Sequence, residues 1–347
     1  MSQGPKDASL TGDGFRFYKW TDAVTGEETD VLSVTSIRKL CGEPFNLVNW
    51  QLANIADTAL GTMKRVVIGP RGGVSEKRLV QEFPCEFATR YDATEGNQGK
   101  IDELRKWMRE QADEPRNIAA RRGTIVHGAI EKNIAWDRIE RPYVEEAFMD
   151  LSSRDKARSK TGVQDEDVLF VRHGMRQYWD MRKHVPFVII AREPQVWNLT
   201  AGYAGSADAL VWVLPQENVD MRGIRKSYEI TLDYVKSIGG YLAILDWKTA
   251  KDVYTDNVVQ VCAYMAAEFV GTNGVVDKRL TELVQATTTG GLVHIRPNKW
   301  GVDLFDFTPD VLRAFLGSVA FARFLASHPE PDSLFSKVFE GEAPEED

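Results

Sequence analysis

Ile244-Leu245-Asp246-Trp247-Lys248-Thr249 ends a hydrophobic stretch that starts at Tyr241, and its reading decides the fold. It is a strand that finishes in acid-x-lysine, and the strand period of two places Asp246 and Lys248 on the same side. Mid-sheet, two such charges would be costly unless paired; at a strand end they project together into a cleft. Taken alone, the tripeptide also fits a surface ion pair at a strand terminus. Outward from it, Ser237-Ile238-Gly239-Gly240 is a turn into this strand, and earlier strands cover Phe187–Ala191, Val196–Trp197 and Tyr203–Leu214. Downstream come a helix from Asp256, as N-cap, to about Phe269, then strands around Leu292–Ile295 and Val302–Phe307. Thr308-Pro309-Asp310 supplies a cap, a proline at the first position and a first-turn acid, so a last helix runs to about Ser327. This alternation is that of a mixed α/β core.

Toward the N-terminus, a helix carrying Val171, Met175, Tyr178 and Trp179 ends at Pro186. Ile101, Leu104, Trp107 and Met108 share one face of an earlier helix, which Pro115 is expected to stop before the next begins through Ile118, Val126 and Ile130. Phe15–Trp20 and Thr29–Val34 flank a turn as a hairpin, followed by a helix over about Phe45–Met63 and a loop at Gly69–Gly73. The expected organisation is an N-terminal hairpin and helical region over 1–118, a core over 119–330 and an acidic tail over 331–347.

Composition bounds the rest. Of 347 residues, 43% are hydrophobic and 27% charged, and 16 Phe, 10 Tyr and 9 Trp supply a core, which excludes a wholly disordered chain. No apolar run reaches the roughly 18 residues of a membrane span, and Met1–Asp7 holds no signal core, so a cytoplasmic protein with no membrane partner is expected. Cys41, Cys85 and Cys262 build neither a disulfide scaffold nor a four-cysteine metal site. The net charge of −8 includes five acids among the last eight residues, so the body carries only −3 and a nucleic-acid partner stays open.

Three further groups bear on chemistry. Asp208 sits in Ala204-Gly205-Ser206-Ala207-Asp208-Ala209, out of place for a solvent residue, with Gly205 permitting close approach. A turn aspartate before a strand is an equally good explanation until it joins other acids. Neighbouring strands would bring Asp208 and Asp246 together, and two acids with a lysine suit metal-dependent phosphodiester hydrolysis. An isolated helical histidine is more often packed or solvated than a ligand, but His127 lies between Gly123 and Gly128, glycines that cost a helix about 1 kcal/mol each and suggest close approach, with Glu131 one turn on. Gln260 and Tyr264 are an i, i+4 pair on the Asp256 helix. Arg121 and Arg122 precede His127, where guanidinium groups could grip a phosphate backbone, although a solvated helix face is the commoner role of such a pair.

In order, Gly123…His127, Glu193, Gly205…Asp208, Asp246…Lys248 and Gln260…Tyr264 resemble the RecB-like branch of the PD-(D/E)XK nuclease superfamily. The likeness covers about residues 120–265. Ser33-Val34-Thr35-Ser36-Ile37 and Asn49-Trp50 look like phage-encoded exonucleases related to the CRISPR-associated members of that branch. The resemblance implies a restriction-endonuclease-like central mixed sheet flanked by helices, with the active site at its edge. It implies Mg²⁺ or Mn²⁺ held by His127, Asp208, Asp246 and the Trp247 carbonyl, with Lys248 acting on the attacking water. Glu193 would support the site, and Gln260 and Tyr264 would position the lysine or the DNA backbone. The implied activity is a DNA exonuclease working in the host cytoplasm on ends for recombination or replication, with a recombination or annealing protein as a further partner. A structure-specific or nicking endonuclease and a non-catalytic DNA-binding protein are the rivals. Cysteine-rich relatives hold an iron–sulfur cluster; with no cysteine after Cys262 that cluster cannot form here, and apolar packing of the N-terminal region on the Thr308 helix is expected to close the fold.

Overall fold

A computed structural model describes residues 9–10, 16–38, 62–68, 74–80, 90–91, 93–95, 97–151, 162–215, 224–250 and 254–327. In chain order the elements begin β1 (Ser9–Leu10), β2 (Arg16–Thr21), β3 (Glu28–Ser33), α1 (Val34–Arg38), β4 (Thr62–Ile68) and β5 (Val74–Val80). Next come α2 (Gln98–Glu131), α3 (Arg141–Met149), α4 (Asp165–His184), β6 (Phe187–Arg192), β7 (Gln195–Asn198), β8 (Tyr203–Ser206) and β9 (Ala209–Val213). The chain continues with α5 (Leu232–Ile238), β10 (Tyr241–Lys248), α6 (Thr255–Met265), β11 (Phe269–Thr272) and β12 (Val275–Val276). It finishes with α7 (Lys278–Gln285), β13 (Thr289–Arg296), β14 (Lys299–Asp306) and α8 (Pro309–Ser327).

The mixed α/β architecture is the expected one. A five-stranded sheet runs β14-β13-β10-β9-β6, with β10 parallel to β13 and every other pairing antiparallel. β10 lies at its centre because both of its faces are apolar. Ala243, Leu245 and Trp247 pack with Val126, Ile130, Met175 and Tyr178 of α2 and α4 on one side. Leu242 and Ile244 pack with Val261 and Tyr264 of α6 and with Phe315 of α8 on the other. Parallel pairing of β10 and β13 needs a crossover, which α6, β11, β12 and α7 supply.

A seven-stranded sheet, β1-β2-β3-β8-β7-β11-β12, lies beside the first. The N-terminal hairpin joins it through parallel pairing of Leu32 with Tyr203. Val34, Ile37, Phe315, Val319 and Ala322 share one buried cluster, so the N-terminal region does pack on the last helix.

Several expectations change. Helix α2 runs unbroken through Pro115 for 34 residues and crosses the expected boundary at 118. Proline removes one backbone hydrogen bond, and a helix with long flanks on both sides survives the loss. The stretch expected as one strand over Tyr203–Leu214 is two, split at Ala207-Asp208 and assigned to different sheets. Tyr254, not Asp256, caps α6, and that helix stops at Met265 because Phe269 already belongs to β11. Met63 lies in β4 rather than in a helix, while residues 45–61, Gly69–Gly73, the 331–347 tail, Cys41 and Cys85 fall outside the described residues.

Candidate active site

β6–β7 and β8–β9 form one long antiparallel ribbon that bends where it passes from one sheet to the other. Glu193 takes the bend with φ 45°, and its N–H donates to the Asp208 carbonyl at 3.0 Å. Ala207 N–H donates to the Pro194 carbonyl at 3.2 Å, so the ladder holds through the bend. The bend turns the Asp208 carboxylate toward the end of β10, where Oδ2 accepts the Trp247 N–H at 2.7 Å. His127 Nδ1 lies 3.6 Å from the same oxygen. Lys248 Nζ approaches the buried Asp246 Oδ2 at 2.5 Å as an ion pair. Leu245 and Trp247 belong to the α2–α4 core and Ile244 to the other, so Asp246 and Lys248 share the α6 face, as the strand period predicts.

Two glycines let the layers close on this point. A Cβ on Gly123 would stand 2.7 Å from Thr249 Oγ1, so α2 lies against the residue after Lys248 and carries His127 in one turn later. A Cβ on Gly205 would stand 2.7 Å from Tyr264 Cε1, so the tyrosine ring reaches the ribbon only because residue 205 is glycine. Gly128 meets nothing within 4 Å, so the close approach expected there is absent. Gln260 Nε2 donates to the Tyr264 hydroxyl at 2.7 Å, and Arg38 Nη1 donates to Gln260 Oε1 at 3.0 Å. Arg38 also lies 3.3 Å from Asp256 Oδ2. Both Gln260 and Tyr264 are buried, so this relay supports the floor of the site.

Electrostatics set the two carboxylates apart. Burial disfavours the Asp246 carboxylate and the nearby Asp208 charge adds to that, so despite Lys248 its pKa rises to about 6. Burial works the same way on Asp208, but His127, the Trp247 N–H and Lys248 outweigh it and hold this acid below its ordinary value. Burial opposes the charged form of His127, yet Asp208 and Asp246 prevail and raise it. Burial, reinforced by Asp246 and Asp208, keeps Tyr264 a neutral phenol.

No family model matches this chain, and no curated protein matches it.

The residues expected to hold a cation are all present at this end of the sheet, where the two layers meet. Among the described residues no three His, Cys, Asp or Glu side chains already form a metal-holding group. Trp247 N–H engages Asp208 Oδ2, and the Lys248 ammonium sits on Asp246. The donor set nevertheless fits a divalent cation. Asp246 Oδ2 is a buried carboxylate oxygen balanced by an ammonium rather than by backbone donors, and two carboxylates with one imidazole are ligands of the right kind. The N–H and C=O of one strand residue face the same neighbour, so the Trp247 carbonyl lies on the Asp208 side of β10.

Glu193 and Glu131 line the same small cavity as His127, Asp208 and Trp247. Arg121 and Arg122 correct the expectation of a phosphate grip. Arg121 Nη2 and Arg122 Nε each lie 2.6 Å from the Asp167 carboxylate, and Arg121 is 3% exposed. Their charge is spent on fastening α2 to the start of α4, which holds His127 at its depth. Arg38, Thr249 and Asp167 were missed as supporting residues. Asp167 alone left a trace in sequence, as one of three acids opening α4.

Proposed function

We propose that this protein is a metal-dependent deoxyribonuclease, an exonuclease that processes DNA ends for recombination or replication, phage-encoded and acting in the host cytoplasm beside a recombination or annealing partner. One observation carries the reading: a buried carboxylate, Asp246, a half-buried one, Asp208, a histidine and a lysine meet at one strand end, and the two acids have pKa values driven in opposite directions. Mg²⁺ or Mn²⁺ bound by His127, Asp208, Asp246 and the Trp247 carbonyl would supply the Lewis acidity that activates water and offsets phosphate charge.

The protein's own groups do the rest. Asp208 stays ionised under the Trp247 N–H and His127, ready to serve as a ligand. Asp246 is paired with the Lys248 ammonium and would be the second carboxylate ligand. The Lys248 ammonium, held at the same strand end, would orient the attacking water and offset the charge that grows on the phosphate. Tyr264 and Gln260 hold the floor beneath these groups through Arg38, and Glu193 fixes Asp208 through the backbone of the bend.

The test is end-labelled linear DNA beside closed circular DNA, each with Mg²⁺, Mn²⁺ or chelator. Release of short labelled products from linear DNA with either metal, and intact circles, is the expected result. Nicked circles would make the enzyme an endonuclease, and no cleavage of either substrate with either metal would overturn the proposal.

A further inference from the structure

A second groove adjoins the candidate site at the bend of the ribbon. Arg192 and Glu193 line the cavity at the site together with His127 and Asp208, and both also line this groove of about 600 Å³. That groove runs over Gln195, Thr272, Val275 and Leu280, between the bend of the ribbon and the β11–β12 edge. Arg192 pairs with Ala209 across the ribbon, so its backbone stands one position from Asp208. Its side chain is exposed, and among the described residues no carboxylate pairs with it. Arg38, Arg121, Arg122 and Arg141, by contrast, all face acids. Across the groove Val275 is 60% and Val276 41% exposed, an apolar wall with nothing over it among the described residues.

We propose that this groove carries one polynucleotide strand, with Arg192 gripping the phosphate next to the one placed over Asp208 and Asp246. The inference rests on the nuclease reading and adds to it the track of the substrate. A guanidinium with no carboxylate partner among the described residues forms a two-pronged contact with a phosphate, and apolar side chains lie against sugars and base faces. Of the two acids lining the groove, Asp277 is engaged in accepting the Leu280 N–H at the start of α7, and Glu193 lies at the bend toward the metal-site end. The position of Arg192 and Glu193, which line both the groove and the cavity at Asp208, favours nucleic acid over the rival occupant, a peptide strand added along β12.

Binding is measured by fluorescence anisotropy with labelled single-stranded and duplex oligonucleotides at several salt concentrations, with chelator present so that no cleavage occurs. The full chain is compared with Arg192→Ala, Arg192→Lys and Val275→Asp, all at exposed positions and all checked by thermal melts. Arg192→Ala should weaken binding about tenfold at low salt and lower the salt slope by about 0.7–0.9, the loss of one phosphate contact. Lysine should restore the slope but not the full affinity, because it cannot make the two-pronged contact. Val275→Asp should weaken binding several-fold. Unchanged affinity and slope in Arg192→Ala, or no binding by the wild type, overturns the proposal; unchanged DNA affinity in Val275→Asp leaves the groove to a peptide and overturns it too. Because no hydrolysis enters the readout, Arg192-dependent binding without cleavage in Mn²⁺ would sink the nuclease reading alone, and cleavage with Arg192-independent binding would sink the groove alone.

Discussion

Protons and metal compete for Asp246, and the competition has a size. With its pKa raised to about 6, Asp246 is mostly protonated at pH 5 and mostly ionised at pH 7. A cation requires the ionised form, so the ionised fraction of about 10% at pH 5 against about 90% at pH 7 lowers apparent Mn²⁺ affinity by about tenfold. His127, also raised, must shed its proton too and pushes in the same direction. Asp208, held low, contributes nothing over this range. The assay is calorimetric titration of the chelator-stripped protein with Mn²⁺ at pH 5, 6 and 7, in paired buffers of different ionisation enthalpy that count released protons. At least one proton per Mn²⁺ should be released at pH 5, and Asp246→Asn should both weaken binding and flatten its pH dependence. Affinity that is constant from pH 5 to 7, with no proton released, would refute the argument.

Other outcomes follow from the same geometry. A raised acid pKa favours the folded state at low pH, where Asp246 is protonated, and the advantage is lost as pH climbs from about 4 through about 6. Chelated protein should therefore lose about 3 kcal/mol across that window through this one group, read as a falling melting temperature that Mn²⁺ restores at pH 7. Lys248→Met should slow single-turnover cleavage by about 10²-fold or more while DNA affinity moves only a few-fold, and a normal rate at saturating DNA would return the residue to a plain ion pair. Asp167→Ala strands the buried Arg121 and should cost about 3–5 kcal/mol in denaturant melts, with the salt slope of DNA binding unchanged.

The core sheet was legible because its strands are short apolar runs bounded by turns: Phe187–Ala191 and Tyr241–Trp247 carry their own signal. The second sheet was not, because β3 pairs with β8 across more than 160 residues, and two-residue β12 has no periodicity to read. Asp208 shows the same limit at the site. Its apolar surroundings made it conspicuous, but the break that aims it comes from a bend shared by two sheets, and the sequence there reads as one uninterrupted strand. Arg121 and Arg122 were misread for a related reason, since the acid that claims them lies 45–46 residues away. Gly123 and Gly205 were marked as sites of close approach, and what approaches them, Thr249 and Tyr264, emerged only from packing.

The central claim, that Asp208 and Asp246 serve phosphodiester hydrolysis, is tested most directly by the rate at which end-labelled linear DNA is shortened in Mn²⁺ by wild type and by Asp246→Asn, purified in parallel. The account predicts cleavage by the wild type, none with chelator, and loss of cleavage in the variant with its fold intact. Equal cleavage by the two proteins, or none by the wild type, would contradict it.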